Sequence, residues 1–374
     1  MLEYSEQNRQ WMQMALDLAE KGRGTTAPNP LVGALVVKNG QVIGKGYHER
    51  AGQPHAEVFA LEEAGEEAYG ADLYVTLEPC CHYGRTPPCT ERILEAGILR
   101  VFVALTDPNP KVAGGGIAAL RAAGVLVEVG LRGDQARRQN DVFLTNIGKQ
   151  RPFVLWKNAA TLDGRTAAKN GHSQWITGPE ARAEVHRLRS QLDAIVVGSG
   201  TIIADDPLLT ARPLAAGMTQ PLRVLLDRQG RIASDAAVLQ DASSPVLWFT
   251  EQEGMETSGL GRHVEVVHAN PGTVQPLWVL AYLYAAGVTS ILLEGGPTLV
   301  NAFWRDRLID KIQWYVAPKL LGDDGRGALG ALHCEHMSEA AALLDVHCRP
   351  VGGDWVFGGY TPWNAGLITG NEGQ

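Results

Sequence analysis

The sequence predicts an α/β protein built as two layered domains in tandem. Three observations carry this reading. The chain, at 374 residues, exceeds the length at which a single core usually stops growing. Short apolar runs alternate with amphipathic helical patterns along nearly all of it, the rhythm of sheets covered by helices. That rhythm breaks at Lys149-Gln150-Arg151-Pro152 and restarts abruptly at Phe153, which marks a join. The expected division is 1–149, 150–362 and a loose tail over 363–374, because no periodicity survives beyond Thr361.

In the first domain, Trp11, Met14, Ala15, Leu18 and Ala19 recur at helical spacing until Gly22 and Gly24 end the pattern. Leu31–Val37 and Gln41–Tyr47 read as strands joined at Asn39-Gly40, a strong hairpin turn. His55 opens a helix running to about Ala64. Strands follow at Leu73–Leu77, Val101–Leu105 and Leu126–Val129, with helices at Thr90–Ala96, Gly114–Ala123 and a polar one at Asp134–Gly148. The second domain repeats the alternation. Its expected strands lie near 153–159, 194–198, 222–227, 245–249, 290–294 and 311–317, its helices near 179–191, 274–286 and 297–306.

Composition narrows the function classes. A net charge of -8, with no long Lys/Arg run, argues against general binding to nucleic acid or to an anionic membrane. Five unevenly spaced cysteines do not make a secreted disulfide framework in a chain this large. The first twenty residues lack a signal peptide's apolar core, and no run reaches the roughly 18 apolar residues of a membrane span. A cytoplasmic protein acting on a small molecule is the expectation, and the sequence leaves a homo-oligomer open.

The chemistry gathers between residues 55 and 89. His55-Ala56-Glu57 is answered by Glu78-Pro79-Cys80-Cys81 and Cys89. An imidazole and two thiolates suit Zn²⁺, and a carboxylate beside them can move protons. Zinc deaminases carry a related signature, H-x-E with P-C-x-x-C, in which the glutamate is not a ligand. Here eight residues separate Cys80 from Cys89, and Cys81 is a competing thiol. A purely structural site closed by Cys81 or His82 is the bland alternative. A second cluster, His333-Cys334-Glu335-His336 with His347-Cys348, matches no common zinc spacing and is set aside.

Taken together, Thr26-Ala-Pro-Asn-Pro-Leu-Val-Gly33, His55-Ala-Glu57 and Thr76-Leu-Glu-Pro-Cys-Cys-His-Tyr-Gly-Arg-Thr-Pro-Pro-Cys89 resemble the deaminase half of the bifunctional pyrimidine deaminase/reductase family of riboflavin biosynthesis, relatives of the cytidine deaminases. The insert containing Gly84-Arg-Thr-Pro-Pro88 separates this branch from nucleoside and transfer-RNA deaminases. Cys81 stands where that family is expected to have serine. The second half resembles the same family's reductase, similar in fold to dihydrofolate reductase, through Lys157–Thr166, Ser173-Gln-Trp-Ile-Thr177, Gly198-Ser-Gly-Thr201, Ala204-Asp-Asp-Pro207 and Glu294-Gly-Gly-Pro-Thr298. Two unrelated motif sets in the expected order cover about residues 5–360.

The resemblance implies a cytidine-deaminase-like α/β/α layered domain followed by a dihydrofolate-reductase-like α/β domain. It implies zinc on His55, Cys80 and Cys89, with Glu57 as proton carrier. It implies NADPH against Ala159, Trp175, Thr201, Asp205 and a turn over Gly296, Pro297, Thr298, Leu299, Val300, Asn301 and Ala302. The phosphoribosylaminopyrimidine substrate is implied against Ser173, Arg189, Leu209, Arg212 and Glu294, with Lys157 and Glu294 polarising or protonating the sugar. The reaction pair so implied is zinc-dependent deamination of 2,5-diamino-6-(5-phosphoribosylamino)pyrimidin-4-one, then reduction of ribosyl to ribityl. The rival is a nucleic-acid or nucleoside deaminase with an accessory binding domain, against which the acidic charge argues.

Overall fold

The computed structural model describes residues 4–83, 87–110, 112–254 and 259–369. The chain divides into two compact units, one ending at Gln150 and one spanning Arg151–Gly366.

The first unit has strands β1 (Gly33–Lys38), β2 (Gln41–Tyr47), β3 (Asp72–Val75), β4 (Arg100–Val103) and β5 (Leu126–Val129). They form one sheet in the order β2-β1-β3-β4-β5. The Asn39-Gly40 turn closes the β1–β2 hairpin with Lys38 opposite Gln41, both turn residues at positive φ, as that dipeptide favours. Six helices cover the sheet: α1 (Glu6–Ala19), α2 (Ala56–Ala64), α3 (Cys89–Glu95), α4 (Gly115–Ala122), α5 (Gly133–Gln139) and α6 (Asp141–Lys149). One core packs α2, α3 and α4 on one face through Ala60, Ile93 and Leu120. The other packs α1, α5 and α6 through Met12, Ala136 and Leu144.

The polar helix expected over 134–148 is two helices. Asn140 breaks it, leaving helical backbone at φ -103°, ψ 23°. Its buried side chain accepts from Leu31 N at 2.8 Å and donates to Leu31 O at 3.0 Å. A tertiary hydrogen-bond pair thus outcompetes one more helical turn.

The second unit runs β6 (Phe153–Thr161), β7 (Arg165–Ala167), α7 (Pro179–Gln191), β8 (Ala194–Gly198), α8 (Ser199–Asp205), β9 (Leu222–Leu226), α9 (Ala237–Gln240), β10 (Val246–Thr250) and β11 (Val264–His268). It continues with α10 (Pro276–Ala285), β12 (Ser290–Leu293), α11 (Pro297–Arg305), β13 (Lys311–Ala317), β14 (Arg326–Gly327), β15 (Leu344–Val351) and β16 (Asp354–Tyr360). Nine strands make one sheet in the order β11-β10-β9-β8-β12-β6-β13-β16-β15. From β11 to β13 the neighbours are parallel, and the β16–β15 hairpin is antiparallel at the edge. The interior strands are near-continuous Val/Ile/Leu runs, the composition of strands buried on both faces. α10 and α11 supply Leu283 and Phe303 to one core, and α7 packs Ala181 and Val185 against Tyr315 and Val356 on the other side.

Periodicity does not announce β7, β11, β14, β15 and β16 or the short α9. β15 is exposed along most of its length and carries Pro350, and β16 contains Gly358-Gly359, so neither shows the apolar periodicity of a core strand. The tail expected to be loose from 363 is anchored. Trp363 Nε1 donates to Ile309 O at 2.7 Å, and Asn364 Nδ2 donates to Asp310 O at 3.0 Å. Single side-chain anchors of this kind leave no periodic trace. Residues 370–374 of that tail lie outside the described residues.

Replacing Asn140 by Ala should destabilise the first unit by about 2 kcal/mol, because it leaves Leu31's buried N–H and C=O without their partner. Urea unfolding followed by near-UV circular dichroism would show the shift, and an unchanged midpoint would refute the role.

Candidate functional sites

In the first unit the site is made where two elements meet. α2 approaches β2 closely enough that a Cβ on Gly44 would stand 2.0 Å from Ala60 O, and one on Gly46 2.4 Å from Ala56 O. Only glycine allows that contact. It seats the start of α2, where His55 is the N-cap in extended backbone (φ -76°, ψ 163°) and Glu57 lies in the first turn. The strand-end loop after β3 brings Cys80, and Cys89 opens α3.

The donor atoms of His55, Cys80 and Cys89 all lie within 4.8 Å of one another. His55 Nδ1 is 3.2 Å from Cys89 Sγ and 3.6 Å from Cys80 Sγ, and Cys89 N donates to Cys80 Sγ at 3.3 Å. Among the described residues this is the one group of His, Cys, Asp and Glu gathered closely enough to hold a metal ion. Cys81 is not part of it, and its Sγ faces Gly115. His333, Cys334 and His336 are exposed and also outside it, like His347 and Cys348 on β15. Of the insert, Gly84, Arg85 and Thr86 lie outside the described residues.

The group pairs an anionic sulfur with a protonated imidazole. The hydrogen bond from Cys89 holds the Cys80 thiol down at about 4, with His55 helping, so that sulfur is a thiolate. The bond to Cys80 in turn pushes His55 up to about 9. Glu57 is buried, and burial raises its carboxyl above the usual range against the opposing charge of His55. Its Oε2 is buried without a hydrogen-bond partner. A buried oxygen of this kind needs a partner that the protein does not supply. Two sulfurs and an imidazole nitrogen fit Zn²⁺ with a fourth position open, which leaves this oxygen for proton transfer.

Three supporting groups escaped the sequence reading. The buried Glu78 carboxylate accepts from Asp107 N (3.1 Å), Gly114 N (3.0 Å) and Ile117 N (3.0 Å). His48 meets the His55 ring edge-on at 5.7 Å between centroids. Asn29 Nδ2 is 3.1 Å from His48 Nε2, and Pro54 O is 3.1 Å from its Nδ1. The Pro28-Asn29-Pro30 loop was visible in the sequence, but its partner was not.

In the second unit Glu294 and Thr201 follow the carboxyl ends of β12 and β8, where open parallel sheets bind ligands, and Lys157 and Ala159 lie on β6. Glu294 follows β12, its N–H donating to Val196 O at 3.1 Å. Because Leu293 is paired with Trp156, Glu294 lies beside Lys157. Arg189 grips Glu294 with both arms of its guanidinium, at 2.7 and 2.9 Å, and donates to Thr210 O at 3.2 Å. Burial opposes ionisation of Glu294, yet the Arg189 charge and hydrogen bonds hold its carboxyl down at about 2. Burial pushes the Lys157 ammonium below its ordinary range, only partly offset by Glu294.

That pairing revises two expectations. Glu294 is an ionised acceptor and a poor proton donor, and Arg189 is engaged by it. Arg212 is exposed. Leu209 is buried, with φ 54°. Ser173 Oγ donates to Asp205 Oδ1 at 3.0 Å, bringing those two together. Residues 296–302 form the N-cap and first turns of α11, within the helix expected near 297–306. Helical geometry sends Val300 into the core and occupies Asn301 Oδ1 with Gly330 N at 3.1 Å. Only Gly296 to Leu299 remain near the helix start. A Cβ on Gly296 or Gly200 would meet nothing within 4 Å, so a phosphate can approach these backbones at the helix starts, as a nicotinamide cofactor requires. Ala159 lies on β6 opposite Tyr315, and Thr201 is in the first turn of α8.

Comparison with known proteins matches both units to described families. Residues 5–105 match the cytidine and deoxycytidylate deaminase zinc-binding region, and residues 152–357 match the RibD C-terminal domain. The chain is 41% identical over 361 residues to riboflavin biosynthesis protein RibD of Escherichia coli strain K12, covering 93% of this chain and 98% of that protein. The Synechocystis protein of the same name is 42% identical over 351 residues, covering 93% and 95%. Among solved structures, Acinetobacter baumannii RibD form 1 is similar with a TM-score of 0.82 at 41% identity, covering 95% of this chain and 99% of that one. A Thermotoga maritima deaminase/reductase gives 0.83 at 35% identity over the same shares. A zinc-binding deaminase unit and a reductase unit in one chain, matched along nearly their whole length, place the chain in the RibD family of bifunctional deaminase–reductases of riboflavin biosynthesis.

Proposed function

We propose that the first unit removes the 2-amino group of 2,5-diamino-6-(5-phosphoribosylamino)pyrimidin-4-one, and that the second reduces the ribosyl group of the product to ribityl with NADPH. The observation that carries the first step is the gathering of His55, Cys80 and Cys89 beside a buried Glu57 oxygen that no protein group satisfies. The Thermotoga maritima relative, named as a diaminohydroxyphosphoribosylaminopyrimidine deaminase and 5-amino-6-(5-phosphoribosylamino)uracil reductase, supports this substrate.

His55, Cys80 and Cys89 would hold the zinc ion. When bound, it supplies Lewis-acid activation of water. Glu57 takes a proton from the attacking water and delivers one to the departing amine, so that a C–O bond replaces C–N and ammonia leaves. Burial raises its carboxyl above the usual range, which favours holding the proton between the two transfers. His48, held by Asn29 and the Pro54 carbonyl, keeps the His55 ring in orientation, and Glu78 fixes the loop that carries Cys80.

In the second unit NADPH supplies the hydride for C1′ of the sugar. Lys157, its ammonium acidified by burial, gives a proton to the ring oxygen as the C1′–O bond opens. Glu294 accepts hydrogen bonds from sugar hydroxyls, and Arg189 holds it in place. Arg212 is the guanidinium left to take the substrate phosphate. The backbone at Gly296 to Leu299 and at Thr201 would meet the cofactor's phosphates, and Asp205, Ala159 and Trp175 its remaining groups.

Assay of the diamino substrate with and without NADPH and a chelator tests the whole scheme: ammonia release should need the metal but not NADPH. Glu57→Gln should retain zinc while losing at least ~10²-fold in ammonia release; undiminished deamination would sink the assignment. Glu78→Gln should weaken zinc binding by about tenfold, since outer contacts orient the ligands, as measured by competition with a chromogenic chelator. Lys157→Ala should release ammonia normally yet oxidise NADPH about 10²-fold more slowly, and equal rates in both assays would remove Lys157 from the reaction.

A further inference from the structure

Trp175 is 62% exposed, yet its segment is tied down from several sides. Its carbonyl accepts from Lys319 Nζ at 2.7 Å, and the Arg182 guanidinium lies over its ring, 4.5 Å from the centroid. Arg182 Nη1 also donates to Thr177 O at 2.6 Å, and Gly178 N donates to Asp354 Oδ2 at 2.6 Å. With the Ser173–Asp205 bond, contacts from α7, α8, β16 and the segment after β13 hold residues 173–178. An exposed indole so constrained, with a cation on one face, offers its other face to a planar ligand. Lys319 lies two residues past the end of β13, the strand paired in parallel with β6, so the platform stands on the side of the sheet where the strands' carboxyl ends lie.

We infer that Arg182 is a positioning residue that makes Trp175 a platform for the nicotinamide ring and favours its neutral, reduced form over the cationic, oxidised one. This rests on reading the second unit as an NADPH-dependent reductase. The dihydronicotinamide ring is uncharged, whereas loss of hydride leaves it with a positive charge. A guanidinium on the opposite face of the same indole repels only the latter. Adenine, the cofactor's other planar group, is the same in both redox forms and would feel no difference.

The test is calorimetric titration of the full chain with NADPH and with NADP⁺, in the absence of pyrimidine substrate. Arg182→Ala and Arg182→Met should each tighten NADP⁺ relative to NADPH by about 3- to 10-fold, the range expected of one charge pair across a ring. Arg182→Lys should restore the native ratio, and in a Trp175→Ala background Arg182→Ala should leave the ratio unmoved. Ammonia release by the first unit serves as the internal control for folding. An unchanged ratio in Arg182→Ala and Arg182→Met, with normal ammonia release, would overturn the inference. Failure of the native chain to bind either nucleotide would overturn the reductase reading along with it.

Discussion

One buried carboxylate organises the metal-ligand loop. Glu78 closes three backbone N–H groups, from Asp107, Gly114 and Ile117, onto the segment that follows β3. Each of those N–H groups would otherwise be an unsatisfied donor inside the protein, at a cost of about 1–3 kcal/mol apiece. The same contact draws the start of α4 so close that a Cβ on Gly116 would stand 2.0 Å from Pro79 O. Pro79 and Cys80 are therefore held from below while α2, seated on Gly44 and Gly46, brings His55 from the other side.

The second unit reaches a comparable result by strand register. Parallel pairing of β12 with β6 and β8 sets Glu294 next to Lys157 and against Val196. Arg189, from α7, then fixes the carboxylate's orientation and charge. In both units much of the candidate chemistry, Cys80 after β3 and Glu294 after β12, sits just beyond strand ends, where backbone polar groups run out of partners in the sheet. The units differ in what they present there. One offers soft donors and a hidden acid, and the other offers open helix starts, a carboxylate locked by arginine and a lysine acidified by burial.

Much of this was legible in the residues. Apolar runs such as Ile195-Val196-Val197 and Ile291-Leu292-Leu293 announce strands buried on both faces, and Asn39-Gly40 announces its hairpin. The His-Ala-Glu and Pro-Cys motifs carry their chemistry in their composition. Elements held by one or two long-range contacts stayed hidden. Asn140 splits a helix through its bonds to Leu31, and Trp363 anchors a segment that looked loose through one bond to Ile309. β15 pairs with β16 yet shows solvent a nearly unbroken exposed face.

The sequence by itself determined the element alternation, the two-unit plan and the donor types at His55, Cys80 and Cys89, because periodicity and ligand chemistry are properties of local residue order. Tertiary structure decided which of two adjacent thiols joins the cluster, and that Val300 of the expected helix turns into the core. It also decided that Arg189 and Glu294 are bound to each other. These outcomes depend on distances between residues tens to more than a hundred positions apart, which packing sets and residue order alone does not encode in any readable period.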